Sequence, residues 1–394
     1  MKIVQIITRR ELRGAEVVAA DLCRSLTQRG HEVSLIGLFD PPNQDDADTL
    51  SRDLPLVLDL GGPKRRGFRW DIFSKLRNHL KALNPDVVQA NAFNALKFTA
   101  LSRITTRATW PLVYRNVGLA SQWVTRPGQK LWGRQLLKQV AKVISVSAAS
   151  RRDFSTTYQI PKADIAVLNQ GVVIPRPFPK ATWRNRLTQL VDRPDASFLL
   201  VHVGNFSPEK NHLGLLQAFG VVVSSHPAAQ LVLLGDGPMR QQVAAEATHL
   251  GLAANVHLPG AQAAAADLAG GADAMLISSH VEGIPGVLLE AYARNVPAIS
   301  TDVGGIHEVI QNGHNGILVP PGDMLALGRE TVALLEDHTR RHQLGEAAHR
   351  RVVETHDMET SVDQLEALYH ELVTSARGVS PATAFHPVAL QKQD

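Results

Sequence analysis

Short apolar segments of strand length recur along the whole chain and alternate with stretches of helical periodicity. Such alternation predicts parallel β-sheets whose two faces are both covered by helices. The pattern stops in a proline-rich stretch near the middle of the chain and then begins afresh. We therefore predict an α/β protein with two Rossmann-like domains. The predicted strands are 3–8, 32–38, 55–60, 86–90, 111–115, 142–146 and 165–168, then 198–203, 230–234, 255–258, 273–277, 297–300 and 316–319.

The proline-rich stretch, with Pro175, Pro177, Pro179 and Pro194, sets the predicted domain boundaries. The predicted parts are a first domain over 1–173, a linker over 174–195, a second domain over 196–355, a C-terminal helix over 356–377 and a loose tail over 378–394. Parallel sheets bind ligands at the carboxyl ends of their strands, so we expect the functional site in the cleft between the domains.

Composition excludes several classes of protein. The single cysteine, Cys23, excludes a disulfide within the chain and a metal site built from cysteines. The first ten residues lack the long apolar core of a signal peptide, and no apolar stretch approaches the roughly 18 residues of a membrane span. We therefore predict a cytoplasmic location.

The net charge of +4 is unevenly distributed along the chain. Residues 1–190 hold 30 Lys and Arg against 14 Asp and Glu, whereas residues 191–394 hold 11 against 23. This asymmetry indicates an anionic partner for the first half, or attraction between the two halves.

Two carboxylates stand eight residues apart in a glycine-rich segment of the second half. Glu282 lies on a predicted loop after the apolar run 274–277, and Glu290 lies about one turn into the helix that follows. Pro285 suits the first turn of a helix, where a missing N–H costs nothing. Free backbone N–H groups at this helix start can bind an anion, and the carboxylates can accept hydrogen bonds from hydroxyls. The segment would suit a ligand with both phosphates and sugars.

A second candidate anion site opens the second half. Gly204 follows a predicted strand, and Lys210 enters the next helix, an arrangement typical of phosphate-binding loops. Gly235 marks another turn at the end of a strand. A solvated lysine at a helix start is the alternative interpretation of Lys210.

Taken together, these motifs resemble the retaining glycosyltransferases of family 4, over residues 1–373. The strongest match is the paired-glutamate signature at 282–291. Supporting matches lie at 13–16, 29–33, 145–147, 204–211, 235–237, 304–309 and 312–319. The resemblance implies the GT-B fold, in which two Rossmann-like domains face each other across a cleft and the C-terminal helix returns to the first domain.

The resemblance also implies roles for individual residues. Glu282 and Lys210 would be the catalytic pair, with Glu282 contacting donor-sugar hydroxyls and Lys210 neutralising the donor diphosphate as its charge grows. Glu290 would accept the ribose hydroxyls, and Gly14 would let the backbone approach the donor. The implied donor-binding residues are Gly14, Gly204, Asn205, Lys210, Gly235, Glu282, Gly283, Ile284, Pro285, Gly286, Val287 and Glu290. No metal ion or other cofactor is implied, because Lys210 and a helix N-terminus replace the divalent cation.

The chain departs from the family pattern at two places. Asn205 stands where members commonly have an arginine, so we expect Lys210 to carry more of the phosphate binding. The acceptor side lacks the usual histidine, and Arg13, Arg115 and Asn116 are the candidates there.

A basic stripe lies on the helix predicted over 128–141. Lys130, Arg134, Lys138 and Lys142 recur every four residues beside apolar side chains. Such a face can lie on anionic lipid, and a solvated surface stripe is the alternative.

The predicted partners are therefore a nucleotide-sugar donor, an anionic glycan or lipid-linked acceptor and an anionic membrane surface, but not nucleic acid.

We predict a retaining glycosyltransferase that uses a UDP- or GDP-sugar in the synthesis of a surface polysaccharide, lipopolysaccharide or glycolipid, in the cytoplasm or at the inner membrane face. Two alternatives stay open. A non-hydrolysing nucleotide-sugar epimerase shares the two-domain architecture, but it would need further acid and base residues in the cleft. A catalytically silent binding module is compatible with Asn205 and the missing histidine.

Overall fold

The computed structural model describes residues 1–63 and 67–378. Residues 64–66, in a basic loop, and residues 379–394, nearly all of the predicted tail, lie outside the described residues. Every predicted strand is present, and the strands form two separate parallel sheets. The predicted α/β class with two Rossmann-like domains is thereby confirmed.

The first sheet is formed by seven strands, all parallel. They are β1 (Lys2–Arg9), β2 (Glu32–Phe39), β3 (Val57–Asp59), β4 (Val87–Asn91), β5 (Leu112–Asn116), β6 (Lys142–Ser145) and β7 (Ile165–Val167). Their order is β3-β2-β1-β4-β5-β6-β7. The connecting helices are α1 (Gly14–Gln28), α2 (Gln44–Ser51), α3 (Trp70–Leu83), α4 (Ala92–Thr106), α5 (Pro127–Leu137) and α6 (Ala148–Tyr158). The central strands are buried along almost their whole length because helices cover both faces.

The second sheet has six parallel strands in the order β10-β9-β8-β11-β12-β13. They are β8 (Leu199–Val203), β9 (Gln230–Leu234), β10 (Val256–Gly260), β11 (Ala274–Ile277), β12 (Ala298–Thr301) and β13 (Ile317–Val319). Its helices are α7 (Lys180–Val191), α8 (His212–Ser225), α9 (Arg240–His249), α10 (Ala265–Gly270), α11 (Gly286–Tyr292), α12 (Ile306–Val309), α13 (Met324–Glu336) and α14 (His338–Thr355). Separate apolar clusters cover the two faces of this sheet.

Helix α7 corrects the predicted linker. Its residues belong to the segment 174–195, yet Leu187 and Val191 are buried in the second domain's core. The helix forms because the chain has no proline between Pro179 and Pro194, which leaves room for three helical turns. The irregular connection is therefore shorter than predicted.

The last helix, α15 (Met358–Ala376), returns to the first domain, as predicted. Val362, Leu365 and Tyr369 join the cluster that packs against α1 and the first sheet. The two crossings between the domains lie side by side. The N–H of Val172 donates to the carbonyl of His356 at 2.8 Å, and the N–H of Met358 donates to the carbonyl of Val172 at 3.1 Å.

Helix α5 corrects the predicted basic stripe. The helix ends at Leu137, and the chain turns there because the N–H of Ala141 bonds to the carbonyl of Leu112 and joins the sheet. Lys142 therefore begins β6 and is not on the helix. The stripe consists of Lys130, Arg134 and Lys138. Among residues 1–63 and 67–378, no helix combines the length and the apolar character needed to cross a membrane.

Candidate active site

Lys210 and Glu282 meet at the carboxyl ends of two adjacent strands. Strands β8 and β11 pair in parallel, so the loops that follow them emerge at the same edge of the sheet. The Nζ of Lys210 donates to Oε1 of Glu282 at 2.6 Å, and Oγ of Ser279 donates to the same oxygen at 2.7 Å. Glu282 is only 8% exposed. The two predicted catalytic residues thus form a buried, charge-assisted contact.

Several polar groups tie the Lys210 loop to the end of β11. Asn211 adopts a left-handed conformation, with φ of 52°, and its Oδ1 caps α8 by accepting the N–H of Gly214. Its Nδ2 donates to the carbonyl of Ser278 at 3.1 Å, and Oγ of Ser278 donates to the carbonyls of Lys210 and Asn211, both at 3.0 Å. These bonds fix where the Lys210 side chain starts.

Two glycines allow the site loops to pack backbone to backbone. A β-carbon on Gly235, with φ of 148°, would lie 1.9 Å from the carbonyl oxygen of Gly204. A β-carbon on Gly304, with φ of 61°, would lie 1.7 Å from the carbonyl oxygen of Glu282. Only glycine fits at these positions, so they hold the loops that carry Gly204 and Glu282.

Glu290 lies on α11, as predicted, and is half-buried. No hydrogen bond joins its carboxylate to any of the described residues. Burial raises the pKa of this carboxyl group, while the guanidinium of Arg294 opposes the increase and the carboxylates of Asp21 and Asp267 add to it. Asp21 belongs to α1, so the first domain contributes to the electrostatic environment of this residue.

The remaining predicted donor-binding residues differ in how far their side chains are exposed. Ile284 is buried, and Val287 packs against the core, so their side chains point away from the cleft. Pro285 is buried as well and precedes the first turn of α11. Asn205 is exposed beside the strand-end turns. A β-carbon on Gly14 would meet no atom within 4 Å, which leaves room for a close approach at the start of α1.

The first domain closely approaches the paired-glutamate loop. A β-carbon on Gly283 would lie 3.2 Å from the carbonyl oxygen of Val117, and one on Gly286 would lie 3.0 Å from Nε2 of Gln170. The site is therefore bounded by segments from both domains.

Glu308 of the second domain binds the start of α6 in the first. Its carboxylate accepts the backbone N–H groups of Ala148, at 2.8 Å, and Ala149, at 2.6 Å. These are unpaired donors in the first turn of a helix, where the helix dipole favours a negative charge. The contact joins the two domains directly.

The predicted acceptor residues have different surroundings. Arg115 and Asn116 are only 5% and 4% exposed, so neither side chain lies on the surface of the cleft. The Nδ2 of Asn116 is within 3.4 Å of Oγ of Ser145. Burial lowers the pKa of Arg115 to about 10, with Tyr369 and Glu16 opposing the decrease. Arg13, in contrast, has an exposed side chain and contacts Glu11 at 3.4 Å.

Sequence reasoning missed Ser279 and Glu308 as functional candidates. Ser279 could have been found from its position, because it lies two residues after β11 and three residues before Glu282, where it can orient that carboxylate. Glu308 lies in a recognised motif, but its partners are backbone groups 160 and 159 residues away. No local pattern reveals such a contact.

Two family models match the chain in succession. The model of Glycosyltransferase Family 4 matches residues 12–176, and the model of Glycosyl transferases group 1 matches residues 185–351. Together they account for the first domain and most of the second.

Curated relatives are also similar to the chain. N-acetyl-alpha-D-glucosaminyl L-malate synthase of Bacillus anthracis is 36% identical over 175 residues, which are 44% of this chain and 46% of that protein. The capsular polysaccharide biosynthesis glycosyltransferase CapM of Staphylococcus aureus is 24% identical over 78% of this chain and 84% of its own length. The match spans half or less of the length of the first curated relatives.

A solved structure has the same fold. The crystal structure of HepE from Anabaena in complex with UDP and glucose covers 94% of this chain and 99% of its own, with a TM-score of 0.81 and 21% identity. At this identity the likeness establishes the two-domain fold, and it says nothing further about the ligand of this chain.

Proposed function

The chain belongs to the family 4 glycosyltransferases of GT-B fold, and we propose from this that it transfers a sugar, with retention of configuration, from a nucleotide diphosphate sugar to a glycan or lipid-linked acceptor. The observation that carries the proposal is the buried contact between Lys210 and Glu282 at the carboxyl ends of β8 and β11. This position is where parallel sheets bind their ligands. The relative CapM, named for capsular polysaccharide biosynthesis, supports a surface polysaccharide or glycolipid as the product class.

In the proposed reaction, the bond between the anomeric carbon and the diphosphate oxygen breaks. The acceptor oxygen forms its bond to that carbon on the same face, and its proton passes to the departing phosphate oxygen. Lys210 would stabilise the growing negative charge on the leaving group, which electrostatic catalysis requires. Glu282, oriented by Ser279, would then accept hydrogen bonds from the hydroxyls of the sugar.

The other donor contacts follow from the same arrangement. Glu290 has no competing hydrogen bond among the described residues and would accept the ribose hydroxyls. The open space at Gly14 would admit the donor beside the first domain. We infer that no metal ion is required, because Lys210 supplies a positive charge at the diphosphate. Addition of EDTA should then leave the rate of transfer unchanged.

Incubation with a panel of UDP- and GDP-sugars, with and without lipid-linked acceptors, tests the proposal. We expect release of the nucleoside diphosphate together with glycosylated acceptor. Glu282→Gln should lower the rate roughly 100-fold or more, whereas the matched Glu209→Gln, on an exposed residue of the same region, should not. Donor binding without release would instead indicate a silent binding module, and release of an epimerised or unsaturated sugar would indicate an epimerase.

We also propose that α5 brings the protein to an anionic membrane, where a lipid-linked acceptor would lie. Leu131 and Trp132 are 62% and 46% exposed beside the stripe of Lys130, Arg134 and Lys138. Exposed apolar side chains next to cations are typical of helices that lie in the lipid interface. Nucleotide sugars are made in the cytoplasm, so the corresponding location is the inner face of the membrane.

Co-sedimentation with vesicles that contain phosphatidylglycerol tests this second part. Replacement of the three stripe cations by Gln should reduce binding by about tenfold or more, since each basic residue contributes on the order of 1 kcal/mol. The matched control replaces Arg329, Arg340 and Arg350 of the second domain by Gln. Equal binding by the wild type and both variants would exclude the membrane contact.

A further inference from the structure

A cavity of about 600 Å³ opens on the second domain, away from the Lys210–Glu282 site. Asp273 and Pro297, which line it, immediately precede β11 and β12. Glu282 instead follows the carboxyl end of β11. Because the strands are parallel, the cavity and the proposed donor site lie at opposite edges of the same sheet. The cavity is therefore separate from the donor site.

Positive charge predominates in the lining of this cavity. Four cationic side chains, Arg176, Lys180, Arg294 and Arg341, and three imidazoles line it, against two carboxylates. Asp273, one of those carboxylates, already binds Arg184 at 2.6 Å and the N–H of Leu199 at 2.8 Å. The other, Glu346, is exposed and lies 3.7 Å from His342. Little negative charge is left to balance the cations.

The four cations differ in their partners. Arg294 binds Asp267 at 2.7 Å, and Arg341 donates to the carbonyl of Leu335 at 2.6 Å. The side chains of Arg176 and Lys180 have no hydrogen bond or ion pair within the described residues, although Arg176 attracts the carboxylate of Asp357 at longer range. Lys180 is the first residue of α7 and Arg176 lies just before the helix, so the two residues are close together in sequence.

Lys180 is an exposed residue whose charge lies near the guanidinium groups of other residues. Partial burial lowers the pKa of its ammonium group, Asp273 opposes this decrease, and the guanidinium groups of Arg184 and Arg341 add to it. Lys180 thus lies beside other cations, and the carboxylate that offsets them, Asp273, is shared with Arg184. A bound anion would remove this unfavourable interaction.

We propose that this cavity is a second ligand site, which binds a soluble anion carrying phosphate groups. Its volume lies within the range of small-molecule pockets. An arginine and a lysine with free donors are the side chains that bind phosphate oxygens, the first as a planar fork and the second as a point charge. Phe178 and the neighbouring prolines form an apolar wall against which the organic part of such a ligand can pack. The site does not depend on the proposed transfer reaction.

Calorimetric titration with inorganic pyrophosphate at pH 7 tests the proposal. Pyrophosphate can also bind near Lys210, so the titration uses Lys210→Ala protein, in which that contact is removed. We expect binding to persist in this background. Adding Arg176→Gln and Lys180→Gln should weaken it by roughly tenfold or more, because two charged phosphate contacts are lost.

The matched control adds Arg186→Gln and Arg350→Gln to Lys210→Ala and should bind pyrophosphate as that variant does. Arg186 is exposed on α7, so the first substitution changes the same charge on the same helix. Absence of binding in Lys210→Ala, or equal binding after loss of Arg176 and Lys180, would overturn the proposal. Binding to the phosphate groups of a membrane is tested separately, by co-sedimentation with vesicles that contain roughly 30 mol % phosphatidylglycerol as an anionic surface. Sedimentation that needs Arg176 and Lys180, without pyrophosphate binding, would contradict a soluble ligand.

Discussion

The ammonium group of Lys210 and the carboxylate of Glu282 lie 2.6 Å apart, with side-chain exposures of 20% and 9%. Each group neutralises the other. In the proposed function, the donor diphosphate would compete with Glu282 for Lys210, which would leave Glu282 to the hydroxyls of the sugar. The pair would thereby couple binding of the diphosphate to binding of the sugar.

This pairing predicts that removal of one of the two charges destabilises the protein more than removal of both. Lys210→Met leaves the Glu282 carboxylate buried without its counterion and should lower the free energy of unfolding by about 3 kcal/mol. Lys210→Met combined with Glu282→Gln removes both charges and should recover most of that loss. Urea denaturation of the wild type, both single variants and the double variant measures the coupling. Additive losses in the double variant would show that the two groups do not interact.

Gly304 should tolerate no side chain. Gly304→Ala places a methyl group against the carbonyl oxygen of Glu282 and should cost at least about 3 kcal/mol of stability. Gly313→Ala is the matched control, because Gly313 also has positive φ, 76°, but nothing lies within 4 Å of its added β-carbon. It should cost only the backbone strain, about 1 kcal/mol. Equal losses in urea denaturation would contradict the close packing at Glu282.

The contact of Glu308 with α6 should stabilise the arrangement in which the two domains touch, here called the closed arrangement. Glu308→Gln removes the charge from a carboxylate that accepts two N–H groups and should weaken closure by roughly 1 to 2 kcal/mol. Small-angle scattering without ligand should then give a larger radius of gyration. Glu330→Gln, on the outer surface of α13, should leave it unchanged. An unchanged radius for Glu308→Gln would show that other contacts set the closure.

Buried histidines should make the protein sensitive to acid. Burial lowers the pKa of His202 to about 3 and of His212 and His356 to about 4. The unfolded chain binds protons near the ordinary value of 6.5, so it holds more protons than the folded chain between pH 6.5 and about 4. The contribution of these neutral histidines to the free energy of unfolding is therefore fully present above pH 6.5. It is lost progressively as the pH falls through this range.

His212→Phe isolates one of these contributions. Both ring nitrogens of His212 are buried without a partner among the described residues, and the ring stacks on Phe206 at 4.3 Å between centroids. Phenylalanine keeps the stacking and cannot take up a proton. The loss of stability between pH 7.5 and pH 5 should be smaller by about 2 kcal/mol than in the wild type. If urea denaturation showed the same loss of stability between pH 7.5 and pH 5 in the wild type and in His212→Phe, this assignment would be contradicted.

The sequence predicted the strands, and it singled out Lys210 and Glu282, which the structure brings together, because both inferences depend on local patterns. Apolar runs of strand length define the sheets, and glycine turns after β8 and β11 mark the edge where Lys210 and Glu282 meet. The period of four that continues to Lys142 was misleading, since strand pairing ended the helix first. Alternation along β5 could have shown that Arg115 and Asn116 point to opposite faces of the sheet, although not that both are buried. The bond from Glu308 to α6 depends on how the domains meet, which no local pattern encodes.

The return of α15 has a consequence for synthesis of the chain on the ribosome. The apolar face of α1, including Val18 and Leu22, is covered by residues such as Leu365 and Tyr369. The first domain therefore lacks part of its core until nearly the last described residue has been made, whereas the second domain has all its strands long before. Domains made first usually fold first during translation. In this protein we expect the order of completion to be reversed, so that an apolar surface of the nascent first domain stays uncovered until α15 has been made.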